Sequence, residues 1–371
     1  MQATSVSGWT SPPSGTWQAP LGERLAVSLG RLQRWEFWSG WVFYPPIVAW
    51  ILWLGLRHRS PLAFTAANPA LEASGFVGER KIECLMPLST RAPDMVAPLV
   101  LLELATPLPE RIGAARRFAA EQGGYPIVLK PDIGQRGRGV AIIRDEAALR
   151  DYLAHAPGDV IAQRYISGAE FGVFVYRDPS SGAARILSVT SKQFPQVTGD
   201  GSKPLHRLIR EHARARLIAP LLWQKFADRM DWVPADGEIV PLIEIGAHCR
   251  GSLFRDASDL ATPALHAFVA RLFEALPGYH FGRLDLRCPS AEALARGEGI
   301  RLLEVNGVSA EAAHIYEPGT PLWRGYESMF RQWSIAFAIG SANQRAGAST
   351  LNLRQFFERV FADRRRGRDW F

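Results

Sequence analysis

Two short stretches set polar side chains at two-residue spacing inside apolar runs. They are Arg283 and Asp285 in "GRLDLR", and Glu304 and Asn306 in "LLEVNG". Residues two apart on a β-strand point to the same face. If the two strands are neighbours, Asp285, Glu304 and Asn306 converge as oxygen donors, the ligand type magnesium prefers when it also holds phosphates. Arg283, on the face of Asp285, is suited to an anionic intermediate. Plain exposed sheet carboxylates fit poorly, because unpaired charges within such runs are costly. Asn306-Gly307 taken alone reads as ordinary turn chemistry.

A second cluster lies upstream, in "YPIVLKPDIGQRGRGVAII". Lys130 ends an apolar run. Gly134, Gly137 and Gly139 follow, with Arg136 and Arg138 between them, and a second apolar run opens at Val140. Backbone N–H groups of glycines can approach phosphate oxygens closely, and lysine or arginine adds charge. A Walker loop needs Gly-Lys-Ser/Thr opening a helix, and a dinucleotide-binding turn also opens a helix. Here a strand follows. A protein-kinase loop carries its lysine on the next strand and needs further elements that are absent. A tight turn with solvated arginines accounts for the hairpin equally well by itself.

These residues need elements to hold them. Arg111–Gln122 reads as a helix stopped by Gly123-Gly124. "RDEAALRDYLAHAPG" reads as a helix with Asp145 as its cap. "DVIAQRYI" is a strand, and "EFGVFVYRDPSSGAARILSVTSK" is a hairpin around Pro-Ser-Ser-Gly. Residues 263–276 form an amphipathic helix. "YHFGRLDLRC" and "IRLLEVNG" are strands joined by a short helix at Ser290–Ala295. Hairpins mixed with helices, without regular βαβ alternation, give an α+β class.

With Lys130, the glycine loop, "QRYISGAE" and "RLDL…LLEVNG" in that order, the chain resembles the ATP-grasp superfamily over roughly residues 111–320. It is most similar to the carboxylate–amine ligase branch that includes D-alanine–D-alanine ligase and cyanophycin synthetase. The resemblance implies two α+β subdomains gripping ATP, with the glycine hairpin as a lid. Lys130 would contact the phosphates and Gly134, Gly137 and Gly139 would close over them. Gln163 would sit at the adenine, in place of the usual glutamate. Glu170 would hold the ribose hydroxyls, and Lys192 would be the second phosphate lysine. Arg283 would steady the acyl phosphate and the tetrahedral intermediate, as a catalytic residue with Lys192. Asp285, Glu304 and Asn306 would hold Mg2+ (or Mn2+). The substrates implied are a small-molecule or peptide carboxylate and an amine or thiol. The dipeptide ligases carry a full N-terminal domain with a further phosphate lysine. Here residues 60–110 form a reduced region with Lys81 as its only lysine, to which no role is assigned, and D-alanine specificity is unsupported.

The chain has 371 residues, 47% of them hydrophobic, enough for one large or two ordinary domains. Lys+Arg 43 against Asp+Glu 36 gives a formal +7. That suits a nucleotide or a membrane surface and does not demand nucleic acid. Cys84, Cys249 and Cys288 are far apart and read as reduced thiols of a cytoplasmic protein, without a zinc site. No secretory signal is visible. Residues 1–34 are expected to be flexible. Residues 35–59 are Trp-rich, and Phe37–Leu56 is uncharged over 20 residues, long enough to span a bilayer. Pro45-Pro46 interrupts that run, and bases flank both ends. Membrane contact, spanning or interfacial, and an apolar cap on the soluble domain both fit. Residues 321–371 read as a helical extension ending in a basic stretch interleaved with Phe and Trp. It is open to an interfacial helix or to packing on the body, and nucleic-acid binding is a weaker reading.

Smaller candidates are His248, Arg250, Ser252, Arg255 and Asp256, with Arg250 or Arg255 as a substrate-carboxylate binder, and His314 as a proton acceptor. Structural salt bridges and a structural histidine explain these at least as well. Three functions follow from the whole: an ATP-dependent ligase, a nucleotide sensor or scaffold without turnover, and a phosphotransferase on the same fold.

Overall fold

The computed structural model describes residues 19–134, 137–246, 251–366 and 370. Residues 1–18, Arg136, His248, Cys249 and Arg250 therefore lie outside the described residues.

The helices are α1 (Leu21–Leu32), α2 (Gly40–Phe43), α3 (Pro45–Arg57), α4 (Lys81–Arg91), α5 (Leu108–Glu121), α6 (Glu146–His155), α7 (Leu205–Glu211), α8 (Ala219–Lys225), α9 (Pro263–Ala275), α10 (Ala291–Ala295), α11 (Leu322–Arg345) and α12 (Leu353–Arg366). The strands are β1 (Leu99–Leu102), β2 (Ile127–Pro131), β3 (Ala141–Ile143), β4 (Val160–Arg164), β5 (Ala169–Arg177), β6 (Ala184–Gln193), β7 (Gln196–Thr198), β8 (Ile239–Pro241), β9 (Leu253–Asp256), β10 (Phe281–Cys288) and β11 (Arg301–Asn306). They form a four-stranded sheet β1-β4-β2-β3, a five-stranded sheet β11-β10-β5-β6-β9 and the β7-β8 ribbon, paired antiparallel throughout. This is the α+β class read from the sequence.

The small sheet packs on α5 and α6 through Ile127, Leu129, Leu149 and Tyr152. Asp145 caps α6 by accepting from the Ala148 N–H at 2.8 Å. Leu99–Leu102 pairs with β4, so this subdomain begins upstream of the expected boundary at 111. The large sheet has two unlike faces. Leu284, Leu286, Val173 and Val189 alternate onto the back, against α4 and α9. The front carries Arg283, Asp285, Arg287, Glu170 and Lys192, and at one end Phe281 and Phe174 join a separate core with α3 and α11.

The N-terminal expectations need correction. Residues 21–32, expected to be flexible, form α1. Pro45-Pro46 does not break a helix but opens one, because its missing N–H groups fall in the first turn, where no partner exists. No described helix is long and apolar enough to cross a membrane. The inner side of α3 packs on α11: Trp50 donates to the Phe330 carbonyl at 3.1 Å. In α12, Phe356 packs on Phe76 while Phe357 and Phe361 stay exposed.

Candidate functional site

The large sheet sets its polar row by register. Arg283 pairs with Asn306 and Asp285 with Glu304 across β10 and β11. On the other side, Asp285 faces Gly172 and Arg287 faces Glu170 on β5. Glu170 in turn faces Lys192 on β6. The four residues of the two opening motifs are therefore neighbours on one face.

The charges in this row interlock. Arg283 donates through Nε to Asp285 Oδ1 at 3.0 Å and through its second terminal nitrogen to Oδ2 at 3.1 Å. Lys192 Nζ lies 2.9 Å from Asp285 Oδ1 and 3.1 Å from Glu170 Oε1. Burial alone would raise the pKa of Asp285, but Arg283 and Lys192 reverse it and hold the carboxyl well below the usual range. Burial likewise works against the charge on Lys192, yet Asp285 and Glu170 win and raise its pKa. Burial opposes the Arg283 cation too, and Asp285 more than offsets it.

Two roles look different in place. Glu170 spends one oxygen on Lys192 and the other on Arg287, whose Nε donates at 2.9 Å. A second Arg287 nitrogen also lies 2.9 Å from that oxygen, so the oxygen facing Lys192 is the one with room for a hydroxyl. Gln163 accepts from Lys130 Nζ at 2.9 Å, so its oxygen is shared before any adenine arrives.

Lys130 joins the two sheets. From β2 it reaches across to donate to the Leu303 carbonyl of β11 at 2.6 Å. Burial pushes its pKa down to about 8. Lys81, unassigned from sequence, is buried between the same parts. Its Nζ donates to the Gly134 carbonyl at the base of the hairpin at 2.6 Å and lies 3.5 Å from Glu304 Oε1. Gly137 and Gly139 both adopt positive φ (69° each), which L side chains rarely take. Trp370 packs against this hairpin: a Cβ on Gly139 would lie 2.8 Å from its ring.

Sequence reasoning also missed Glu79, Arg287, Glu311 and Tyr44. Glu79 Oε2 is buried without a partner although part of the residue is exposed, and burial raises its pKa to about 8. The Glu311 carbonyl accepts from Arg283 at 3.1 Å. Its carboxylate accepts from the hydroxyls of Tyr316, at 2.6 Å, and Tyr44. No local sequence signal marks Tyr44, 267 positions from Glu311.

The smaller candidates resolve toward structure. Arg255 pairs with Glu317 at 3.1 Å, Ser252 donates to the Ile245 carbonyl at 2.9 Å, and Asp256 accepts from Ser258. His314 is largely buried with Nδ1 unpartnered, and burial lowers its pKa. Cys84 and Cys288 are buried free thiols.

The metal candidates form a hard-oxygen set: two carboxylates and an amide, on adjacent strands. Among the described residues no group of three or more His, Cys, Asp or Glu is placed to hold a metal; the set here counts two carboxylates, with the Asn306 amide as its third member. Its nitrogen now donates to Asp285 Oδ2 at 3.0 Å. Rotating the amide by half a turn would present its oxygen there instead, an arrangement a cation between the two oxygens would favour. The set fits a magnesium-type ion.

No family model matches the chain. Among curated proteins it is similar to the cyanophycin synthetase of Geminocystis herdmanii (strain PCC 6308), 27% identical over 221 residues. The match covers 53% of this chain and 24% of the synthetase, so the chain spans about a quarter of that relative's length. Among solved structures, it resembles a bifunctional glutathione synthetase from Pasteurella multocida at 18% identity and a TM-score of 0.36, covering 68% of this chain and 36% of that one. It also resembles the D-alanine–D-alanine ligases of Bacillus anthracis (15% identity, TM-score 0.39, 72% and 67% covered) and Coxiella burnetii (9%, 0.41, 78% and 64%).

Proposed function

We propose that this chain is an ATP- and magnesium-dependent ligase that activates a carboxylate as an acyl phosphate and joins it to an amine or thiol. One observation carries the reading. Lys130, below the glycine hairpin, reaches the strand of Glu304 and Asn306, so a phosphate-binding element and an oxygen-donor set face one another. The similarity to a cyanophycin synthetase supports it.

In this reading Lys130 and Lys192 offset the negative charge of the phosphate oxygens, with Gly134, Gly137 and Gly139 closing over them to exclude water. Gln163 and Glu170 line the nucleoside side. Asp285, Glu304 and the Asn306 amide hold the divalent ion, which supplies further charge neutralisation at the phosphates when bound. A substrate carboxylate oxygen attacks the γ-phosphorus, and the bond to the ADP oxygen breaks. Arg283, fixed by Asp285 and the Glu311 carbonyl, steadies the acyl phosphate. The amine then attacks the acyl carbon, phosphate leaves with the bonding pair, and the amine proton passes to solvent. No protein nucleophile is needed.

One observation favours a sensor without turnover: the cations Lys130, Lys192 and Arg283 all have partners within the protein. ADP release separates the readings. Purified protein with Mg-ATP is assayed against a panel of carboxylates, with and without amines. Release requiring both substrates establishes the ligase. Release with carboxylate alone indicates a phosphotransferase. Tight ATP binding without release across the panel indicates a sensor.

A further inference from the structure

The outer side of α2–α3 is apolar and uncovered among the described residues. α2 passes directly into α3 at Tyr44, whose N–H donates to the Gly40 carbonyl and whose carbonyl accepts from the Val48 N–H, both at 2.9 Å. Trp41, Val48, Leu52 and Leu56 then recur at steps of seven, four and four, which sets them along one side. They are 88%, 50%, 66% and 78% exposed. The opposite side, through Phe43, Ile47 and Leu54, is buried in the core with α11. A helix apolar on every side ordinarily has every side covered.

The charge around this face points to the cover. No acidic residue occurs from Phe37 to Leu71. Arg57 and Arg59 are exposed at the helix end, and Arg57 stacks on the exposed Trp53 at 5.3 Å. Tryptophan beside arginine on an apolar face suits the boundary between anionic headgroups and acyl chains. The 13 residues of α3 are about 20 Å long at 1.5 Å per residue, short of the roughly 30 Å hydrocarbon core. We infer that α2–α3 is an interfacial anchor that docks the protein on an anionic lipid surface, with Trp41, Val48, Leu52 and Leu56 entering the headgroup boundary and Arg57 and Arg59 meeting the lipid phosphates.

The test is flotation of the full chain with phosphatidylcholine vesicles, with and without phosphatidylglycerol. Wild type floats with the phosphatidylglycerol vesicles, and less as salt rises. Leu52→Glu/Leu56→Glu lowers the partition coefficient about tenfold or more, while ATP binding stays unchanged because both side chains are exposed. Arg57→Glu/Arg59→Glu, which leaves Trp41, Val48, Leu52 and Leu56 in place, removes the preference for anionic vesicles. Wild-type protein that stays unbound, or that binds equally well with either pair replaced, overturns the anchor. A concentration-dependent dimer that Leu52→Glu/Leu56→Glu turns monomeric, without vesicle binding, assigns the face to a second copy and also overturns it.

Discussion

Lys192 and Asp285 form an ion pair at 2.9 Å although β5 lies between their strands. They meet because the residue beneath them is Gly172. A Cβ there would sit 3.3 Å from Asp285 Oδ1, the atom Lys192 holds, and 3.2 Å from Arg283 Cδ. A missing side chain thus joins the proposed phosphate lysine to the proposed metal carboxylate.

Gly172→Val should therefore separate activity from folding. The added methyls push on Arg283 and Asp285 rather than on the core behind the sheet. ADP release should fall about tenfold or more, with a melting temperature changed by only a few degrees. A variant as active as wild type would show that the bridge over β5 is dispensable.

Asp285→Ala and Glu304→Ala should abolish turnover. They should differ in stability, because Asp285 compensates the buried Lys192 and the partly exposed Arg283. Its loss leaves both short of a partner and should cost about 3–5 kcal/mol in urea melts. Glu304, partly exposed and near Lys81, should cost less. Unchanged turnover in both variants would end the metal assignment.

Burial lowers the Lys130 pKa from 10.5 to about 8. The free protein therefore loses this charge as pH rises through about 8, and ATP affinity should weaken over that window. Lys130→Met should bind ATP weakly and remove that part of the pH dependence. Calorimetric titrations between pH 7 and 9.5 check both. For stability the sign is opposite: between about 8 and 10.5 the unfolded chain binds more protons, so Lys130 favours folding increasingly as pH rises.

Glu79 has the reverse linkage. Its pKa rises from 4.5 in the unfolded chain to about 8 in the fold, chiefly through burial. The folded state binds the extra proton between those values, so stability falls as pH rises from about 4.5 to 8. Glu79→Gln should flatten that part of the melting profile and melt higher than wild type at pH 8.5.

Much of this site can be read along the chain because strand periodicity is local. Spacing by two put Arg283 with Asp285 and Glu304 with Asn306, and the register joins those pairs. The hairpin of β5 and β6 and the cap at Asp145 are equally local. What escaped depends on distant packing. Lys81 matters because α4 starts against Gly134 and Glu304, and Tyr44 because the junction of α2 and α3 lies beside Glu311. Pro45-Pro46 misled because the same dipeptide breaks a helix inside and begins one at its edge.

The alternation of β10 has a consequence for how this protein can vary. Leu284 and Leu286 are fully buried on one face, while Arg283, Asp285 and Arg287 occupy the other. Inserting or deleting one residue upstream in this strand would exchange the two sets, burying three charges among leucines. The strand can therefore accept replacement of individual side chains but not a change of length. The packing that holds its register also guards the proposed chemistry, and a lineage without that reaction should keep the leucine spacing after the charges have drifted.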